Sequence, residues 1–221
     1  MRRILVLRPE PGASATATRA RELGLDVIAV PLFEVEPIGW TAPDPSEFDG
    51  LLLTSANAVR HSGKQLGALG GLPVYAVGKA TGEAAAEAGF SVAAIGDSGA
   101  EGLLRSIDGN LRLLHLCGEH HKDLGGARQE VMPVPVYSSK AIEDLDLGAA
   151  KGAVALIHSP RSGARFAGLV GERKSIVIAA ISPAAANAVG SGWERVETSP
   201  KATDNALLAL AARLCNIPAP E

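Results

Sequence analysis

The chain has 221 residues, 47% of them hydrophobic and 20% charged, with 21 Lys plus Arg against 24 Asp plus Glu and a formal net charge of −3. Such a balance excludes a charge-dominated disordered polymer. It also offers no general attraction for nucleic acid or an anionic membrane, so an anionic ligand must be held by local donors.

The length suits one large domain or two of roughly 100 residues. No uncharged apolar run approaches the roughly 20 residues that cross a bilayer. The apolar stretch 4–7 behind Arg2 and Arg3 ends at Arg8, too short for the core of an export signal. A cytoplasmic protein is expected. Cys117 and Cys215 have no motif spacing and are read as buried structural thiols.

In chain order, short apolar runs at 4–7, 27–30, 50–53, 74–77, 111–116, 153–157 and 176–181 read as buried parallel strands. Helix-forming stretches lie between them, at 13–23, 81–88 and 203–214 among others. They often have Ser, Thr, Asp or Asn before the start and Gly after the end. Strand, turn, helix, strand is the α/β pattern.

The chain also resembles itself. Leu53-Thr-Ser-Ala-Asn-Ala-Val59 and Ile157-His-Ser-Pro-Arg-Ser-Gly163 each place a polar turn after an apolar strand, their serines 104 positions apart. The same offset pairs Ala76-Val-Gly-Lys-Ala-Thr81 with Ala180-Ile-Ser-Pro-Ala-Ala185, and Leu103-Leu104 with Leu207-Leu208. A looser match relates 3–7 to 112–116 and 31–35 to 135–139. The order is therefore A, B, A′, B′. Two domains follow, either A–B with A′–B′ or one nested in the other; periodicity does not choose. A ligand is expected in the cleft between the halves.

Open parallel sheets collect ligands beyond the carboxyl ends of their strands. The turns there carry Ser55, Asn57, Gly78, Lys79 and Thr81 in one half, and Ser159, Arg161, Ser162 and Ser182 in the other. These are donors suited to carboxylates, although any one of the Ser, Thr or Asn residues could serve only as a helix cap. Gly118-Glu-His-His-Lys122 forms a further polar turn. His115, Cys117, His120 and His121 match no standard zinc spacing, so no metal is expected. No phosphate loop, dinucleotide fingerprint or nucleophile elbow is present. Tyr137, in the extended segment between the halves, can donate a proton or a hydrogen bond.

In order and spacing, these residues resemble the uroporphyrinogen-III synthase family. The resemblance is carried by 53–59, 77–81, Val136-Tyr137, 158–162, 180–183 and 199–203 with Ala206-Leu207, across nearly the whole chain. It implies two similar parallel-sheet α/β domains, nested and joined by a two-stranded linker. Domain 1 would comprise 1–33 and 143–221, domain 2 would comprise 39–133, and the linker strands would be 34–38 and 134–142. It further implies cofactor-free closure of hydroxymethylbilane with inversion of ring D, through an azafulvene and a spiro intermediate.

Tyr137 matches the family's proton-donating tyrosine. Ser55, Thr81 and Ser159 match the family's polar cleft positions, and Ser55, Asn57, Gly78, Lys79, Thr81, Gly118, Ser159, Arg161, Ser162 and Ser182 are expected to bind substrate. Family members often carry Pro after the first-turn Ser and Thr after the fourth; here Ala56, Ala184 and Ala185 stand instead, leaving backbone N–H groups and Ser182 at the fourth turn. A monomer is expected, with no nucleic-acid or membrane partner; contact with neighbouring pathway enzymes is left open. The competing expectation is a bilobed binding module without catalysis.

Overall fold

The computed structural model describes residues 1–216; the end of the first expected domain, 217–221, lies outside the described residues. The first stretch runs Ile4–Val6 (β1), Gly12–Glu22 (α1), Val27–Ala29 (β2) and Phe33–Pro37 (β3). The middle follows with Gly50–Leu53 (β4), Ala56–His61 (α2), Val74–Val77 (β5), Lys79–Glu87 (α3), Val92–Gly96 (β6), Gly99–Ser106 (α4), Arg112–Gly118 (β7) and Glu130–Ala141 (β8). The last part holds Val154–Ile157 (β9), Pro160–Leu169 (α5), Val177–Ala180 (β10), Pro183–Ala188 (α6), Arg195–Thr198 (β11) and Asp204–Cys215 (α7).

The chain forms two compact α/β units: Met1–Glu34 with the chain from Ala141 onward, and Val35–Lys140. In the first, the strand order is β11-β10-β9-β1-β2 and every ladder is parallel. Counted within the unit this is the doubly wound order 2-1-3-4-5. In the second, β8-β7-β4-β5-β6 follow one another with β3 beside β8, and the ladders from β8 to β6 are parallel. Its order is again 2-1-3-4-5 when the count starts at β7. The repeat is thus assembled crosswise: A (β1, β2) shares a sheet with B′ (β9 to β11), and B (β4 to β6) with A′ (β7, β8).

Alternating side chains pack each sheet on both faces. In the first unit Ile4, Val6, Val154 and Leu156 meet Ala13 and Ala17 of α1 and Leu207 and Ala211 of α7. Leu5, Ala155, Ile157 and Ile178 face Phe166 of α5 and Ala185 of α6. In the second, Leu51, Leu53 and Leu114 pack with Ala58 of α2 and Ala85 of α3, while Leu52 and Leu113 meet Leu103 and Leu104 of α4. Each fully buried Leu or Ile contributes about 1.5–3 kcal/mol. Cys117 and Cys215 are buried and unpaired, and burial pushes both thiols up to about 11.

The edge strands β6 and β11 escaped the apolar-run criterion. β6 alternates intermediate and exposed positions, and β11 reads Arg-Val-Glu-Thr with no buried residue. Tyr137 belongs to the twelve-residue strand β8 and pairs with Gly118 of β7.

Candidate active site

A sheet ordered 2-1-3-4-5 reverses direction between its first and third strands, and a crevice opens at their carboxyl ends. In the second unit that place lies between β7 and β4. A cavity of 470 Å3 is found there, lined by Thr54 and Ser55 after β4, His115 and Gly118 of β7, Tyr137 of β8, Ser98 to Glu101 at the start of α4, and His120 to Lys122.

Gly118 has a steric reason to be glycine: an added Cβ would lie 2.8 Å from two ring carbons of Tyr137 and 3.0 Å from its hydroxyl. Ser55 caps α2, its oxygen accepting from the N–H of Asn57 at 3.2 Å. Burial raises the Tyr137 pKa, and the neighbouring Ser55 side chain opposes the rise. Tyr137 therefore remains protonated at neutral pH.

His115 is 2% exposed and has Nε2 3.0 Å from Thr54 Oγ1. Burial, then the nearby His121, depresses its pKa to about 4, so it stands in the pocket wall as a neutral polar group. His121 Nδ1–H donates to the Gly118 carbonyl at 3.1 Å. Among the described residues no group of three His, Cys, Asp or Glu side chains could hold a metal.

Of the residues picked from the sequence, Ser55, Gly118 and Tyr137 line this cavity. Asn57 and Lys79 do not; Lys79 is 86% exposed and pairs with Glu83 at 3.5 Å. Thr81, expected to bind substrate, lies in the first turn of α3 and is buried. Gly78 adopts φ +83°, a conformation glycine accepts without strain, and so starts α3 without a side-chain cap.

In the first unit, Ser159 and Ser182 cap α5 and α6. Ser162 completes a capping box with Ser159 and is buried. Its hydroxyl donates to the Ser159 carbonyl at 2.9 Å. The Arg161 guanidinium lies 4.3 Å from the centre of the Phe33 ring, a cation–π contact.

The first unit's own order reversal, between β1 and β9, holds a cluster that the motifs passed over. Asp204, at the start of α7, accepts through Oδ1 from Thr16 at 2.9 Å, His158 at 2.8 Å and Arg8 at 3.3 Å; Oδ2 accepts from Arg19. Burial would raise the Asp204 pKa, but hydrogen bonds from His158, Arg19 and Thr16 hold the carboxyl well below its ordinary range. Burial lowers the His158 pKa, leaving it neutral with the Nε2–H toward Asp204. The repeat contained a signal here: Thr54 and His158 hold the same place in the two halves, 104 positions apart.

Two permuted parallel-sheet units, each with polar groups gathered at its strand-order reversal, define a two-domain α/β protein. The sequence matches the family described as Uroporphyrinogen-III synthase HemD over residues 14–209, and the chain belongs to that family. A uroporphyrinogen-III synthase from Chlorobaculum parvum is 33% identical over 101 residues, a match spanning 42% of this chain and 41% of that relative. The solved uroporphyrinogen-III synthetase of Helicobacter pylori has the same fold, with TM-score 0.66 at 18% identity, covering 97% of this chain and all of that one. A mutant uroporphyrinogen III synthase from Thermus thermophilus superposes with TM-score 0.53 at 17% identity, covering 96% and 98%.

Proposed function

We propose that this chain converts hydroxymethylbilane to uroporphyrinogen III, closing the linear tetrapyrrole with inversion of ring D. Family membership across residues 14–209 carries the proposal. Loss of the terminal hydroxyl gives an azafulvene; attack through the substituted carbon of ring D gives a spiro intermediate, which fragments and recloses. An electron-rich pyrrole expels hydroxyl readily, so the protein's work is orientation and one placed proton donor.

Tyr137 is that donor. Its phenol is protonated, faces the second unit's cavity and is held by Ser55 and the bare Cα of Gly118. The substrate's carboxylates take hydrogen bonds from the strand-end turns. The N-cap serines Ser55, Ser159 and Ser182 organise those turns, and Asn57, Gly78 and Lys79 add donors at or after them. Thr81 and Ser162 support the helix starts. On this reading the protein works as a cytoplasmic monomer. Among the described residues no helix is long and apolar enough to cross a membrane.

The test is product identity. Purified protein given hydroxymethylbilane is expected to yield the type III isomer. Type I alone, the spontaneous product, would overturn the assignment, and tight binding without turnover would favour a binding module.

A further inference from the structure

The strand-order reversal of the first unit combines excess positive charge with unspent donors. Arg8 lies two residues past the end of β1. Its Nη1 reaches Asp204 Oδ1 at 3.3 Å and Thr16 Oγ1 at 3.4 Å, both long for hydrogen bonds. Asp204 is already served by Arg19, His158 and Thr16. Two guanidinium groups therefore share one carboxylate, and the surplus positive charge falls on the more loosely held, Arg8.

Among the described residues Nε and Nη2 of Arg8 donate to no protein acceptor, and the side chain is 34% exposed. The group is also seated: a Cβ added to Gly12, the first residue of α1, would lie 2.5 Å from Arg8 Nε and 2.9 Å from Nη2. Partial burial of a cation beyond its counter-charge is costly unless a further anion completes the set. Nε with Nη2 is one edge of the planar fork that binds a carboxylate through two parallel hydrogen bonds.

We infer that Arg8 anchors a carboxylate of the ligand at the first unit's strand-order reversal, with Asp204 as its positioning residue and Gly12 as its seat. The inference rests on the proposed synthase activity, since it assigns one of that substrate's carboxylates. It singles out a side chain outside the repeated Ser and Thr turns.

The experiment compares wild type with Arg8→Gln, Arg8→Lys, Gly12→Ala and Asp204→Asn. Its readouts are steady-state turnover of hydroxymethylbilane and fluorescence titration with uroporphyrin III, an octacarboxylate that does not react. Loss of a bidentate charged pair predicts a rise of about tenfold or more in KM and in the uroporphyrin dissociation constant for Arg8→Gln, with kcat within about threefold.

Arg8→Lys recovers little, because an ammonium lacks the fork. Gly12→Ala keeps the charge but displaces it, and raises KM in the same sense, as does Asp204→Asn with a smaller effect. Arg3→Gln, the same charge change at the opposite end of β1, leaves both constants unchanged.

Type III product from wild type with unaltered KM and binding in Arg8→Gln and Gly12→Ala overturns the anchor and leaves the synthase standing. Type I product alone overturns the synthase, and the uroporphyrin titration then decides the anchor. Should Asp204→Asn fail to fold, as a melting curve would show, Gly12→Ala carries the decision.

Discussion

The Tyr137 ring lies against the bare Cα of Gly118, where an added Cβ would come within 2.8 Å of it. The two residues are also paired across the β7 and β8 ladder, so neither backbone can easily withdraw. Gly118→Ala is therefore expected to rotate the phenol away from Ser55 and the cavity, lowering kcat about tenfold or more while the protein still folds. Steady-state kinetics beside a melting curve checks this, and unchanged kcat would show that Tyr137 has room to spare.

Tyr137→Phe removes the proton without moving the ring. Positioned proton donors typically contribute 10²–10⁴-fold, and a pyrrole that expels hydroxyl readily places this case low on that scale. The expected loss in kcat is about 10–100-fold, with KM within about twofold. Turnover equal to wild type would take the donor role from Tyr137 and leave the pocket as a binding surface only.

Buried strands and repeated turns were legible because period and offset survive in the residues themselves: Leu51 to Leu53 and Val154 to Ile157 are apolar without break, and Ser55 and Ser159 both cap helices after them. β6 and β11 were not, because an edge strand with little burial has no apolar pattern to show. At the site, Ser55 and Gly118 come from the ends of β4 and β7 and Tyr137 from within β8; the repeated turns and the family resemblance nominated them. Arg8, Thr16, Arg19, His158 and Asp204 meet only because α1 and α7 pack on the same face of one sheet. Separations of up to 196 positions hide such a cluster from any local motif.

Ser159→Ala removes the acceptor for the Ser162 N–H, 3.1 Å away, and with it half of the α5 capping box. Loss of such a cap costs about 1 kcal/mol, equivalent to a melting-temperature drop of roughly 2–4 °C at this size. Ser159→Asn, which can still cap, recovers most of it. Calorimetry on the pair checks the ranking; equal melting temperatures for Ala and Ser would mean that the cap is dispensable.

Stability should fall on mild acidification, with His115 a principal cause. Its folded pKa of about 4 lies below the ordinary 6.5 because burial, then His121, disfavours the cation. Between those values the unfolded chain binds the proton and the folded chain does not. The stabilisation is therefore complete above about pH 6.5 and drains away as pH falls toward 4, amounting to about 3 kcal/mol over the whole window. His158, lowered chiefly by burial, acts in the same sense. Asp204 belongs to a lower window, since a depressed carboxyl keeps its contribution until pH drops below its ordinary 3.8. In His115→Leu the unfolding free energy should lose close to one proton's worth of slope between pH 6 and 4.5, about 1.4 kcal/mol per pH unit at most. Urea unfolding at a series of pH values measures this. A variant whose slope matched wild type would mean that His115 takes up its proton in the folded protein as readily as in the unfolded chain, against the burial that its position in β7 imposes.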